Sequence, residues 1–205
     1  MLLSEFNKLP ISEKAFISFA PNVRTSSFDH GILEYHSFDP WKSNFLEDQY
    51  ESEKLIMLNR GDVLNETILY HGCPIKSSIE NIANKGFDIS YVGTNTGNQG
   101  LYGKGIYFSK HPNGSIGYST HIHQWDALEF YNIIVSKVLV GKSLEIKNGS
   151  IGKDCIQYPY VGINLIQDYN SHSHGDEVVI FNTKQILPLG LLHCSVVPTI
   201  EDLYI

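Results

Sequence analysis

The stretch Tyr102-Gly103-Lys104-Gly105-Ile106-Tyr107-Phe108 decides how this chain is read. It closes a Gly-, Asn- and Thr-rich segment that runs from residue 90 to residue 103, a composition that predicts a loop. At Ile106-Tyr107-Phe108 the chemistry changes to a β-branched and aromatic run, which predicts a short buried strand. Gly103-Lys104-Gly105 invites a phosphate-loop reading. That reading fails, because Phe108 stands where the third glycine of G-x-G-x-x-G would fall and no Walker pattern is completed.

Upstream, Thr67-Ile68-Leu69-Tyr70 predicts a second strand, ending in His71-Gly72. Ser77-Ser78-Ile79-Glu80 has capping-box spacing with Ser77 as the cap, and Ile79, Ile82 and Ala83 follow at helical intervals up to Gly86, a natural helix stop. Downstream, part of 115–131 is expected to be helical. Ile133-Ile134-Val135-Ser136-Lys137-Val138-Leu139-Val140, closed by Gly141, is the strongest strand pattern in the chain. Residues 171–176 read as a polar loop, Glu177 as the opening of a strand through Val178-Val179-Ile180-Phe181, and 185–192 as a last strand. Many strands, few helices and short links predict an α+β fold built on antiparallel sheets.

Residues 1–66 read less clearly. A short helix capped by Ser12 is expected over 12–16, and Leu55-Ile56-Met57-Leu58 is an apolar stretch stopped by Asn59-Arg60-Gly61. The net charge of −7 argues against a general phosphate-backbone binder, which gains affinity from clustered Lys and Arg, but leaves room for a local nucleic-acid contact. Cys73, Cys155 and Cys194 are scattered and odd in number, which points to a reducing compartment. The first residues lack a signal-peptide pattern and no segment has the apolar length of a membrane helix, so a cytoplasmic location without membrane contact is expected. The pairs His121/His123 and His172/His174 are H-x-H patterns with no cysteine beside them, which a polar loop explains as well as a metal would; no metal is expected.

Five blocks now carry a resemblance: Leu69-Tyr70-His71-Gly72, Tyr102 through Phe108, Ser115-Ile116-Gly117-Tyr118, Val138-Leu139-Val140-Gly141-Lys142, and Asp176-Glu177-Val178-Val179-Ile180-Phe181. In this order and spacing the chain resembles the poly(ADP-ribose) polymerase catalytic domain of the H-Y-E type, over about 68–192. The resemblance implies two packed, mainly antiparallel sheets forming an NAD⁺ cleft, with few short helices. It places a catalytic domain at 67–205 and leaves 1–66 as an extension packed on it. It implies NAD⁺ as co-substrate, a nicotinamide–ribose bond that is broken, and His71, Tyr107 and Glu177 as the signature triad. His71 would hold the adenosine ribose, Gly72 would pair its main chain with the carboxamide, and Ser115 would add a hydroxyl to it. Tyr107 and Tyr118 would sandwich the pyridinium ring, and Cys73 would lie near the adenosine ribose. The segment 91–102 matches the family's loop over the donor site.

Each assignment makes chemical sense. Nicotinamide leaves as a neutral molecule, so no general acid is needed, unlike the paired carboxylates of a glycosidase. One carboxylate set against the ribose can stabilise its developing positive charge. The sequence departs from the family in four places: Cys73 where Ser or Thr is usual, Gly114 where polymerising members often carry Lys, a short 148–176 segment, and no helical regulatory domain in 1–66. Those departures favour a single ADP-ribose transfer over chain elongation; the acceptor, which these motifs do not specify, is expected to be protein ahead of nucleic acid. A short, ungated catalytic unit would also suit an effector, a toxin or a viral protein. The competing readings are an enzyme that modifies RNA or DNA, and an inactive domain that binds ADP-ribose or NAD⁺.

Overall fold

A computed structural model describes residues 32–92, 100–119, 131–147, 155–157 and 165–197. The helix expected over 12–16, the His121/His123 pair and most of the 115–131 helix lie outside these residues. The first elements are β1 (Ile32–Pro40) and α1 (Asn44–Asn59), followed by β2 (Glu66–Gly72) and α2 (Lys76–Lys85). A 3₁₀ turn at Ile89–Tyr91 precedes β3 (Ile106–Ser109), and one helical turn at Asn113–Ile116 precedes β4 (Tyr131–Leu139). Then come β5 (Ser143–Lys147), β6 (Cys155–Gln157), β7 (Ser171–His174), β8 (Glu177–Ile180) and β9 (Ile186–Val197).

Among the described residues the strands form one sheet in the order β1-β9-β4-β2-β3-β8-β7-β5-β6. Every neighbouring pair is antiparallel except β5 with β6 and β5 with β7. The two sheets implied by the resemblance are thus two wings of one hydrogen-bonded ladder within an α+β fold. The wings meet at a single residue pair, Tyr70↔Ser109 between β2 and β3. On either side of that join the ladders are long, seven pairs from Glu66↔Leu139 to Gly72↔Ile133 between β2 and β4, and four between β3 and β8. Where β2 and β3 part, main-chain groups lose their ladder partners and must find others.

Side-chain alternation sorts the two faces of the sheet. On one face Leu69, Cys73, Ile106, Phe108, Ile134, Val138, Val178 and Ile180 pack against Ile79 of α2 and Phe87. α1 seats Leu46, Tyr50 and Met57 on Leu139, Leu187 and Leu189. It starts at Ser43, whose side chain accepts from the Leu46 N–H at 3.4 Å.

Several sequence expectations shift at the edges. α2 starts at Lys76 after Ile75, which makes no side-chain cap bond, so the Ser77 capping box is not used; Gly86 does end it, at a φ of +81°. The turn around Ser115 begins two residues earlier and stops at Ile116, because Gly117 and the Ser119 contacts bend the chain back toward β4. The polar stretch Ser171–His174 is a strand, not a loop, and Ser171 and His172 are fully buried in it. β9 runs on to Val197 because β1 pairs along it.

Candidate functional site

The site is built where β2, β3 and β8 lie side by side. His71 is the penultimate residue of β2. Its ring meets Phe87 edge-on at 5.1 Å and Phe108 at 5.7 Å, and the residue as a whole is half-buried. Its Nδ1 lies 2.8 Å from the main-chain carbonyl of Tyr107. A carbonyl only accepts, so Nδ1 carries the proton and Nε2 is left as a lone-pair acceptor. Burial pushes the His71 pKa down, against the pull of that bond, so the ring is neutral at neutral pH. The bond stands in for the ladder contact that β2 and β3 give up beyond Tyr70↔Ser109.

Gly72 follows, and the turn at Ser115 lies directly on it. A β-carbon at position 72 would run into the Ser115 carbonyl and come to 2.9 Å from the Ser119 nitrogen. Ser119 Oγ lies 3.0 Å from the Ser115 carbonyl and 2.9 Å from that of Asn132, which fastens the turn to β4. Ser115 is buried there, whereas Tyr118 stays 54% exposed at the turn's edge.

Tyr107 lies in β3 opposite Val179. Its hydroxyl donates to the Gly103 carbonyl at 2.9 Å and accepts from the Tyr102 N–H at 2.9 Å. With the hydroxyl engaged, the ring face is what Tyr107 can offer a ligand. Burial pushes its pKa up to about 12; the bond from Tyr102 opposes this, while the charges of Glu177 and Tyr118 add to it.

Glu177 opens β8, opposite Ser109 on β3 and His174 on β7. Burial raises its carboxyl pKa, while His174 and a hydrogen bond from the Tyr102 side chain pull it back. Burial likewise raises the Tyr118 pKa, and the Glu177 charge adds to it. These mutual effects put the carboxylate and both phenols in one neighbourhood. The turn before Glu177 is pinned by Lys110, whose N–H donates to the Asp176 carbonyl at 2.9 Å and whose Nζ donates to the Gly175 carbonyl at 2.8 Å.

Of the residues singled out from the sequence, His71, Gly72, Tyr107, Ser115, Tyr118 and Glu177 are brought together. Cys73 is not. It is 2% exposed in the core beside α2, its thiol 3.8 Å from the Ile75 carbonyl and its pKa raised by burial.

Two residues that sequence reasoning did not place in the site, His172 and His174, lie beside it, both in contact with Tyr102. His172 Nδ1 donates to the Tyr102 carbonyl at 2.8 Å, and its Nε2 accepts from the Ile166 N–H at 3.4 Å. The His174 ring stacks on Tyr102 at 4.6 Å and 19°, its Nδ1 donating to the Ile146 carbonyl. The signal was in the sequence: H-x-H on a strand puts both rings on one face. Reading 171–176 as a loop hid it. Both nitrogens of His172 and the Nδ1 of His174 are thus engaged by the protein. Among the described residues no group of three or more His, Cys, Asp or Glu could hold a metal ion. No helix there is long and apolar enough to cross a membrane.

No curated protein matches the chain. The family model of the poly(ADP-ribose) polymerase catalytic domain matches residues 40–159. That span starts at the end of β1 and takes in His71, Tyr107, Ser115 and Tyr118, stopping short of β8 and Glu177. Covering more than half of the 205 residues, it agrees with a sheet whose two wings part beside His71-Gly72. This chain belongs to the poly(ADP-ribose) polymerase catalytic-domain family.

Proposed function

We propose that this chain transfers a single ADP-ribose unit from NAD⁺ to a protein acceptor, with Glu177 as the catalytic carboxylate. Membership of the family implies ADP-ribosyltransferase chemistry with NAD⁺ as donor. The observation that carries the finer reading is the half-buried Glu177 carboxylate, which opens the strand paired with the one that carries Tyr107 and whose charge raises the pKa of both Tyr107 and Tyr118.

In this mechanism neutral His71 accepts a ribose hydroxyl hydrogen at Nε2. The Tyr107 and Tyr118 rings face the pyridinium, where an aromatic face attracts a cation. The bond between ribose C1′ and the pyridinium nitrogen breaks, and its electron pair goes to that nitrogen, so nicotinamide leaves neutral. Positive charge grows on the ribose, and the Glu177 carboxylate stabilises it from a fixed position. The acceptor's nucleophilic atom bonds C1′ and passes its proton to the Glu177 carboxylate, which returns it to solvent. Gly72 and Ser115 hold the carboxamide, so that the ring departs from one orientation.

Single transfer is supported by Gly114. It stands where polymerising relatives often carry Lys, and it packs so closely on Ser109 that a β-carbon there would require the Ser109 hydroxyl to turn away. The test is labelled NAD⁺ with the full chain and a cell lysate, followed by separate protease and nuclease digestion. Label that protease releases from a discrete band supports the proposal. A smear would mean chain growth, nuclease-sensitive label a nucleic-acid acceptor, and undiminished NAD⁺ with bound ligand an inactive binding domain.

A further inference from the structure

We propose that Tyr102 is a positioning residue that holds the Glu177 carboxylate in register with the Tyr107 ring, and that the His172/His174 pair on β7 exists to fix Tyr102. The proposal rests on the reading of Glu177 as the working carboxylate.

Tyr102 is held at four points. Its N–H donates to the Tyr107 hydroxyl at 2.9 Å, and its carbonyl accepts from His172 Nδ1 at 2.8 Å. The same Tyr107 hydroxyl donates to the carbonyl of the next residue, Gly103, at 2.9 Å. The ring is stacked at 4.6 Å on His174, the residue paired with Glu177 across β7 and β8, and from there the phenol holds the Glu177 carboxyl down against the effect of burial. Tyr102 therefore joins two residues of the proposed mechanism, one through its main chain and one through its side chain.

The neighbours leave it little freedom. Tyr102 is 8% exposed and packs with Ile146 and Val179. Gly103 takes a φ of +110°, and a β-carbon there would lie 2.8 Å from the Phe181 ring and 3.2 Å from His172 Nδ1, so the chain turns only where it does because residue 103 has no side chain. His172 is itself fixed edge-on to Phe181 at 4.7 Å. His174 is fixed through its bond to the Ile146 carbonyl.

A single carboxylate that must face a growing charge benefits from a donor that fixes its direction, because a freely turning group would have to reorganise during the reaction. A phenol on a stacked ring does this without adding a positive charge that would repel the ribose cation.

The test is Tyr102→Phe in the full chain, which keeps the ring and its stack and removes only the donor. The expected result is a kcat about tenfold lower with KM for NAD⁺ little changed. The acid limb of the rate profile should move to higher pH, read against the other titratable groups around Glu177, namely His174, Tyr107 and Tyr118. In a Glu177→Gln background, Tyr102→Phe should have no further effect on the residual rate. A second variant, His174→Leu, should lower kcat in the same direction by releasing the ring. Full kcat with an unmoved acid limb in Tyr102→Phe, while Glu177→Gln is impaired, would overturn the positioning role alone. Full activity in Glu177→Gln would overturn the carboxylate reading and this proposal with it.

Discussion

The imidazole of His71 donates from Nδ1 to the main-chain carbonyl of Tyr107 across 2.8 Å, at the place where strands β2 and β3 stop pairing. The same bond closes a gap in the sheet, selects the tautomer that leaves Nε2 as an acceptor, and ties the residue proposed to hold the donor ribose to the strand that carries Tyr107. It joins the two wings of the sheet through an imidazole that stays neutral.

His71→Ala removes both the Nε2 acceptor and the support for the Tyr107 carbonyl. KM for NAD⁺ should rise by about tenfold, the scale of one lost hydrogen bond, with a loss of stability from the unpaired carbonyl. Initial rates against NAD⁺ concentration check this; an unaltered KM would remove His71 from donor binding. The wild-type chain should also lose stability as pH falls below the usual histidine range. The folded-state pKa of His71 is depressed, so its contribution is present above the unfolded value and is lost as the unfolded chain takes up the proton.

Glu177 works in the opposite sense. Burial raises its carboxyl pKa, so the folded chain holds that proton more tightly than the unfolded chain does. Its contribution to stability is complete below the ordinary carboxylate range and is lost as pH rises through the raised value. Glu177→Gln should therefore melt above the wild type at neutral pH, with the gap closing below a pH of about 4. Its kcat should fall by about 10²–10³ with NAD⁺ affinity retained. A variant that melts lower at neutral pH, or keeps full turnover, contradicts the assignment.

Gly72→Ala tests the contact between β2 and the Ser115 turn. The new methyl group would meet the Ser115 carbonyl, and the turn would have to move. A loss of about 1–3 kcal/mol on denaturation is expected, together with weaker NAD⁺ binding. Unchanged stability would show that the turn shifts freely and is not a fixed wall.

Met57→Ala tests whether α1 is part of the same core. Met57 is fully buried against Leu139 and Leu187, whereas its neighbour Leu58 is 50% exposed. Met57→Ala should cost about 2–5 kcal/mol, and Leu58→Ala within about 0.5 kcal/mol. Equal costs would mean that the helix packs differently.

Much of the site could be read directly. Tyr70-His71-Gly72 ending one strand, Ile106-Tyr107-Phe108 forming another and Glu177 opening a third are local patterns, because apolar alternation and glycine stops act over a few residues. The helix α1 was less legible. Leu55, Ile56, Met57 and Leu58 form one apolar run in sequence, yet only Met57 faces the core, and which side is buried depends on where β4 and β9 lie.

What the amino-acid order determined alone was the set of strand ends and the residue types placed on them: His and Gly at one, Tyr within another, Glu at the start of a third. Only the tertiary structure decided that β2 and β3 touch at one pair and then part, because strand order depends on contacts between residues far apart in the chain. The same holds for Ser171–His174, whose polar side chains read as a loop. Pairing with β5 and β8 supplied main-chain partners, and the carbonyls of Tyr102 and Ile146 accepted the two imidazole protons, which made a buried strand of histidines affordable.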